Sequence, residues 1–98
     1  MPSETLHFAN ARQLSLLYAD DARNLEEAER SFGVRLASRD DWVQIEGSPE
    51  GIAGVKAVFE LLEAGRAQGL RIRSSDVHYT LRCVADGKAD ELREIYRN

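Results

Sequence analysis

The segment Ala19-Asp20-Asp21-Ala22-Arg23-Asn24-Leu25 sets two carboxylates, a guanidinium and a carboxamide side by side between two short stretches of helical periodicity. A tight joint of this kind brings the backbone N–H groups of a helix start to the surface, where a phosphate can approach. On that reading Arg23 contacts a phosphate, and Asn24 hydrogen-bonds a nucleic-acid backbone or base. The competing reading keeps the same residues at local work. Asp20 or Asp21 caps the second helix and meets its dipole, Arg23 is a solvated charge, and Asn24 holds the turn. A carboxylate at a helix start fills the electrostatic niche that a phosphate would take.

A second set of cations lies further on. Arg35 and Arg39 fall on a strand and its turn, and Arg71 and Arg73 alternate, so both can face one side of an extended segment. With Arg23 they could form a positive stripe on an acidic chain. They could equally pair with the abundant Asp and Glu, since exposed pairs are worth roughly 0–1 kcal/mol and need no functional reason. Trp42 sits beside the hairpin turn, on the face opposite Val43 and Ile45. An exposed tryptophan can stack a base, at about 1–3 kcal/mol per base, but packing over the sheet edge or against a partner is the better expectation. His7 and His78 are far apart, and no second ligand stands at metal spacing. Cys83 reads as a small core residue. The carboxylates of Glu26-Glu27 and of Asp40-Asp41 are adjacent, and neighbours on a helix do not face each other. No catalytic residue, metal ligand or cofactor is assigned, and nothing argues for an enzyme.

These residues need elements to hold them. Leu6 and Phe8 alternate with His7, which predicts a strand over Thr5–Ala9. Asn10 is a helix N-cap with Gln13 in capping-box position, and Leu14, Leu17 and Tyr18 form an apolar stripe. The second helix carries Leu25, Ala28 and Phe32 on one face. Gly33 follows where a left-handed residue belongs. Val34–Ser38, the turn Arg39-Asp40-Asp41 and Trp42–Glu46 read as a hairpin. Ser48-Pro49 starts a third helix with Ile52, Val55, Phe59 and Leu62 buried; Gly51 and Gly54 permit close packing on the sheet. Ala64–Gly69 loses periodicity and reads as a frayed end plus connector. Ser74 or Ser75 caps a fourth helix with Val77, Leu81 and Val84, which Gly87 interrupts. Asp90–Tyr96 closes the chain as a short helix bearing Leu92, Ile95 and Tyr96. The expected core is Leu6, Phe8, Leu14, Leu17, Leu25, Ala28, Phe32, Val34, Leu36, Val43, Ile45, Ile52, Val55, Phe59 and Leu62.

The bulk properties fit one domain. The chain has 98 residues, 43% hydrophobic and 31% charged, with a net charge of -4. That balance opposes tight non-specific binding of polyanions. One cysteine rules out an internal disulfide and suits a reducing compartment. No apolar run approaches the roughly 20 residues that span a bilayer, and Met-Pro-Ser-Glu-Thr is no signal peptide. The expected location is cytoplasmic, away from membranes.

The fold class is α+β: a three-stranded antiparallel sheet with helices on one face and a C-terminal helical extension. The order strand, helix, joint, helix, strand, strand, helix is that of a type I KH module, a reader of single strands. Asp21–Leu25 (Asp-Ala-Arg-Asn-Leu), Glu29, Phe32–Leu36 (Phe-Gly-Val-Arg-Leu), Gly47-Ser-Pro-Glu, Ser75-Asp-Val, Leu81 and Gly87–Leu92 (Gly-Lys-Ala-Asp-Glu-Leu) together resemble the N-terminal KH-like domain of the PhoH family. The family's glycine at the start of the joint stands as Ala19. The resemblance implies a KH-like domain over 1–69 and a helical extension over 70–98 packed on it. It also implies an accessory RNA-binding role beside a P-loop ATPase domain linked to phosphate starvation. Arg23, Asn24, Arg35 and Arg39 would touch the RNA. The P-loop itself, G-x-x-x-x-G-K-[ST], does not occur in this sequence, so ATP binding would belong to the parent protein only. The early Met1 and the stop ahead of the family's linker favour a fragment over a stand-alone copy. The alternative function is protein–protein interaction or homo-oligomerisation, motivated by the acidic balance, Trp42 and the apolar tail.

Overall fold

Short-range capping chemistry sets several of the helix boundaries. The computed structural model describes residues 2–97; Met1 and Asn98, the outer ends of the ranges 1–69 and 70–98, lie outside the described residues. The order is β1 (Ser3–His7), α1 (Ala11–Leu17), α2 (Ala22–Phe32), β2 (Arg35–Arg39), β3 (Trp42–Glu46), α3 (Pro49–Ala67), α4 (Ser74–Ala85) and α5 (Ala89–Arg97). The chain is α+β, with a three-stranded antiparallel sheet in the order β1-β3-β2.

Three boundaries follow the local signals. Asn10 Oδ1 accepts from Gln13 N at 2.8 Å and starts α1. Ser48 Oγ accepts from Gly51 N at 3.0 Å, with Pro49 in the first turn of α3. Gly33, at φ 63°, ends α2, and Val34 N donates back to Glu29 O. The Glu29 carboxylate also accepts from Leu36 N at 2.9 Å, tying α2 to the start of β2. Asp40, at φ 50°, makes the hairpin reversal.

Four expectations are corrected. β1 spans Ser3–His7, not Thr5–Ala9, because Ala9 N is taken by the Gln13 side chain as the chain turns into α1. α3 continues to Ala67 through the stretch expected to fray. Gly65 is buried there: a Cβ at that position would lie 3.1 Å from Leu70 and 3.2 Å from Tyr96. Tertiary contact thus overrides glycine's low helix propensity. α4 is capped by neither serine; Asp76 Oδ2 accepts from Arg73 N at 2.9 Å. Gly51 and Gly54 face the end of α2, not the sheet. A Cβ on Gly54 would fall 2.5 Å from the Phe32 ring.

The inner face of the sheet carries Leu6, Leu36, Val43 and Ile45. Val43 and Ile45 are fully buried, and α3 lies beneath with Ile52, Val55, Phe59 and Leu62. Burying each such side chain contributes about 1.5–3 kcal/mol. Phe8 packs its ring 5.7 Å from that of Phe59. Leu6, Phe8, Leu25, Phe32 and Leu36 reach the core but are only partly buried, and Val58, Leu61, Val77, Leu81 and Leu92 join the buried set. Helices α4 and α5 both pack on α3, and α4 also packs on α2, so residues after 70 are built into the body of the domain.

Among the described residues no helix lies over the outer face. Strand alternation and register assemble it from three cross-strand rows: His7–Trp42–Arg39, Thr5–Gln44–Ala37 and Ser3–Glu46–Arg35. Trp42 and Gln44 are half-buried and the other members are exposed.

Candidate nucleic-acid interface

The joint between α1 and α2 is a double left-handed reversal. Ala19 has φ 61° and Asp20 φ 56°. A left-handed conformation costs a non-glycine residue roughly 1–2 kcal/mol, so neighbouring bonds must hold it. Ala19 N donates to Leu16 O, and Asp20 N donates to Ser15 O at 2.8 Å. Asp20 also pairs with Arg12 at 3.2 Å.

Asp21 is the N-cap of α2. Its Oδ1 accepts from Arg23 N at 3.0 Å, and its carboxylate is gripped by the Arg23 guanidinium, Nη2 to Oδ2 at 2.8 Å. The side-chain hydrogen bond from Arg23 is the main reason that the Asp21 carboxyl sits below its ordinary range; the backbone hydrogen bond adds to it. The same bond raises the Arg23 guanidinium in turn. The start of α2 therefore already holds an anion, its own aspartate, and Arg23 is turned back onto it.

Asn24 does not face solvent. It is 3% exposed, its Nδ2 donates to Tyr18 O at 2.9 Å and to Ser74 Oγ at 3.1 Å, and its Oδ1 meets His78 Nε2 at 3.0 Å. Of the two roles expected of Asn24, the structure places it in the interior one: the side chain fastens the joint to α4. Ser74 and His78 are the partners that sequence reasoning missed, and no local signal marks them.

Arg35 and Arg39 behave differently. Both are exposed on the outer face of β2, an edge strand, and neither guanidinium has an ion-pair or hydrogen-bond partner among the described residues. The four residues named from sequence thus separate into two places: Arg23 and Asn24 at the joint, Arg35 and Arg39 on the open sheet. Arg71 and Arg73 do not extend a stripe. Arg71 lines a shallow cleft with Arg12, Arg66 and Asp20, whereas Arg73 lies 3.7 Å from Asp76. Arg66 in that cleft is held by Glu63 at 2.6 Å.

No family model matches the chain, and no curated protein or solved structure matches it either. Among the described residues no group of three or more His, Cys, Asp or Glu is placed to hold a metal ion, and no helix is long and apolar enough to cross a membrane.

Proposed function

We propose that this chain is a KH-like, non-catalytic module that binds single-stranded RNA, acting in the cytoplasm as an accessory to a PhoH-like ATPase. The element order β-α-α-β-β-α and the strand order β1-β3-β2 support the KH-like part of the reading. Fold analogy does not establish function. The observation that carries the functional part is the pair Arg35 and Arg39, exposed cations with no ion-pair or hydrogen-bond partner among the described residues. Free guanidiniums release counterions when phosphates replace solvent around them. Arg23 contributes less, because its charge is already engaged with Asp21.

The test is fluorescence anisotropy of a dye-labelled oligouridylate, about ten nucleotides long, titrated with the protein at several salt concentrations. The expected result is saturable binding whose log K falls with log salt at a slope of about -0.7 per phosphate contact. Absence of binding at low salt overturns the proposal.

A second reading, protein–protein interaction, is favoured by Tyr79 and Ile95. They are 54% and 64% exposed and line one shallow groove between α4 and α5.

A further inference from the structure

The geometry points to the open face of the sheet, not the helix joint, as the surface that takes the single strand, with a base stacked on Trp42 and phosphates beside Arg39 and Arg35. This inference rests on the RNA-binding reading and names the site for it. The row His7–Trp42–Arg39 runs across all three strands in register and places an aromatic ring between an imidazole and a free guanidinium. Base stacking on an aromatic side chain is insensitive to sequence, because every base has a π-face. A sheet face is a common platform for such stacking.

The remaining rows set the direction. Thr5, Gln44 and Ala37 carry no charge, so nothing in that row repels a phosphate backbone. Arg35 stands four residues from Arg39 on the same strand, about 14 Å away at a rise near 3.4 Å per residue. Asp40 and Asp41 close the turn end and repel a phosphate there, so the backbone runs from Arg39 toward Arg35. Glu46 is the one carboxylate among the three rows, opposite Arg35 in register yet not ion-paired with it. The joint differs in pairing: its two carboxylates are held by Arg12 and Arg23.

Trp42 is the single tryptophan of the chain, so its fluorescence reports on this face alone. Oligouridylate is titrated into the intact protein with Trp42 emission and the anisotropy of a labelled oligonucleotide followed in parallel. The expected result is quenching of Trp42 that tracks the anisotropy and weakens with salt. Arg39→Ala should lower the steepness of the salt dependence by about 0.7. Trp42→Ala should weaken binding by roughly 5- to 150-fold. Trp42→Phe, which keeps a ring and spares the fold, should recover most of that loss. Three results overturn the inference. Binding with unchanged Trp42 emission and an unaffected Arg39→Ala variant leaves the RNA-binding reading standing but moves the site elsewhere. Trp42 emission that shifts with protein concentration alone makes the face a contact between copies of the chain. Absence of binding in anisotropy removes both the site and the function.

Discussion

The joint at 18–24 and the outer face of the sheet offer the same chemistry on paper, arginines beside polar or aromatic side chains. They differ in what those groups already hold. At the joint every charge has an internal partner: Asp20 with Arg12, Asp21 with Arg23, and the Asn24 amide with Tyr18, Ser74 and His78. On the sheet, Arg35 and Arg39 have none among the described residues. A guanidinium already paired with a carboxylate has part of its charge offset and releases fewer counterions on meeting a phosphate than an unpaired one. The region that most resembles a binding loop thus has its charges paired internally, and the region that resembles ordinary hairpin surface presents two unpaired cations.

The largest expected effect separates the two regions by stability. Asn24→Ala removes a buried amide from between α1, α2 and α4, leaving Tyr18 O, Ser74 Oγ and His78 Nε2 without it. The cost is expected to be about 2–3 kcal/mol, the scale for stranding buried polar groups, read as a lower urea midpoint at unchanged m-value. Amides of α4 should exchange faster in the same variant, because Ser74 and His78 lose their anchor. Surface changes at Arg35 or Arg39 should stay within about 0.5 kcal/mol. An Asn24→Ala protein as stable as the parent would mean the amide is not a structural post, and the contrast between the regions would fail.

Much of the fold was legible from the sequence because its signals are local. Asn10 and Gln13, Ser48 and Pro49, and Gly33 act on backbone groups within a turn of themselves, so spacing alone places them. The alternation through Val43 and Ile45 likewise sorts β3 into an inner and an outer face, and with it Trp42. The parts that were not legible depend on partners far along the chain. Asn24 reaches Ser74 and His78 across 50 and 54 positions, and no periodicity announces that meeting. Gly65 stays helical because Leu70 and Tyr96 close on it, which a propensity scale cannot register. The same holds at the site. Residue types at 20–24 suggested a binding corner, but whether Asp21 caps the helix or Arg23 greets a phosphate depends on which finds the other first. Here they find each other.

A smaller effect tests the comparison through charge. Arg23→Ala and Arg39→Ala remove the same guanidinium from the two regions. If the sheet face holds the RNA, Arg39→Ala reduces the salt slope of binding by about 0.7, and Arg23→Ala leaves it unchanged. The reverse outcome would make the joint the interface, and would mean that the Asp21–Arg23 pair opens readily in solution.

The smallest effect asks about that pair directly, through pH. Asp21 has its carboxyl held below the ordinary value of 3.8, chiefly by the Arg23 side chain and next by the Arg23 backbone N–H. A carboxylate with a depressed folded-state pKa stabilises the fold in full above its unfolded value; that contribution is lost as pH falls through the folded value. The start of α2 should therefore hold down to about pH 4 and loosen only below it, visible as faster exchange of the Arg23 amide. In Arg23→Ala the guanidinium hydrogen bonds disappear and the backbone bond remains. The Asp21 titration, followed by carboxyl NMR, should then move upward toward 3.8 without passing the ordinary range. An Asp21 that titrates identically with and without the Arg23 side chain would show that the pair is not closed in solution. The start of α2 would then be open to an outside anion, and the joint would regain the role that its sequence suggests.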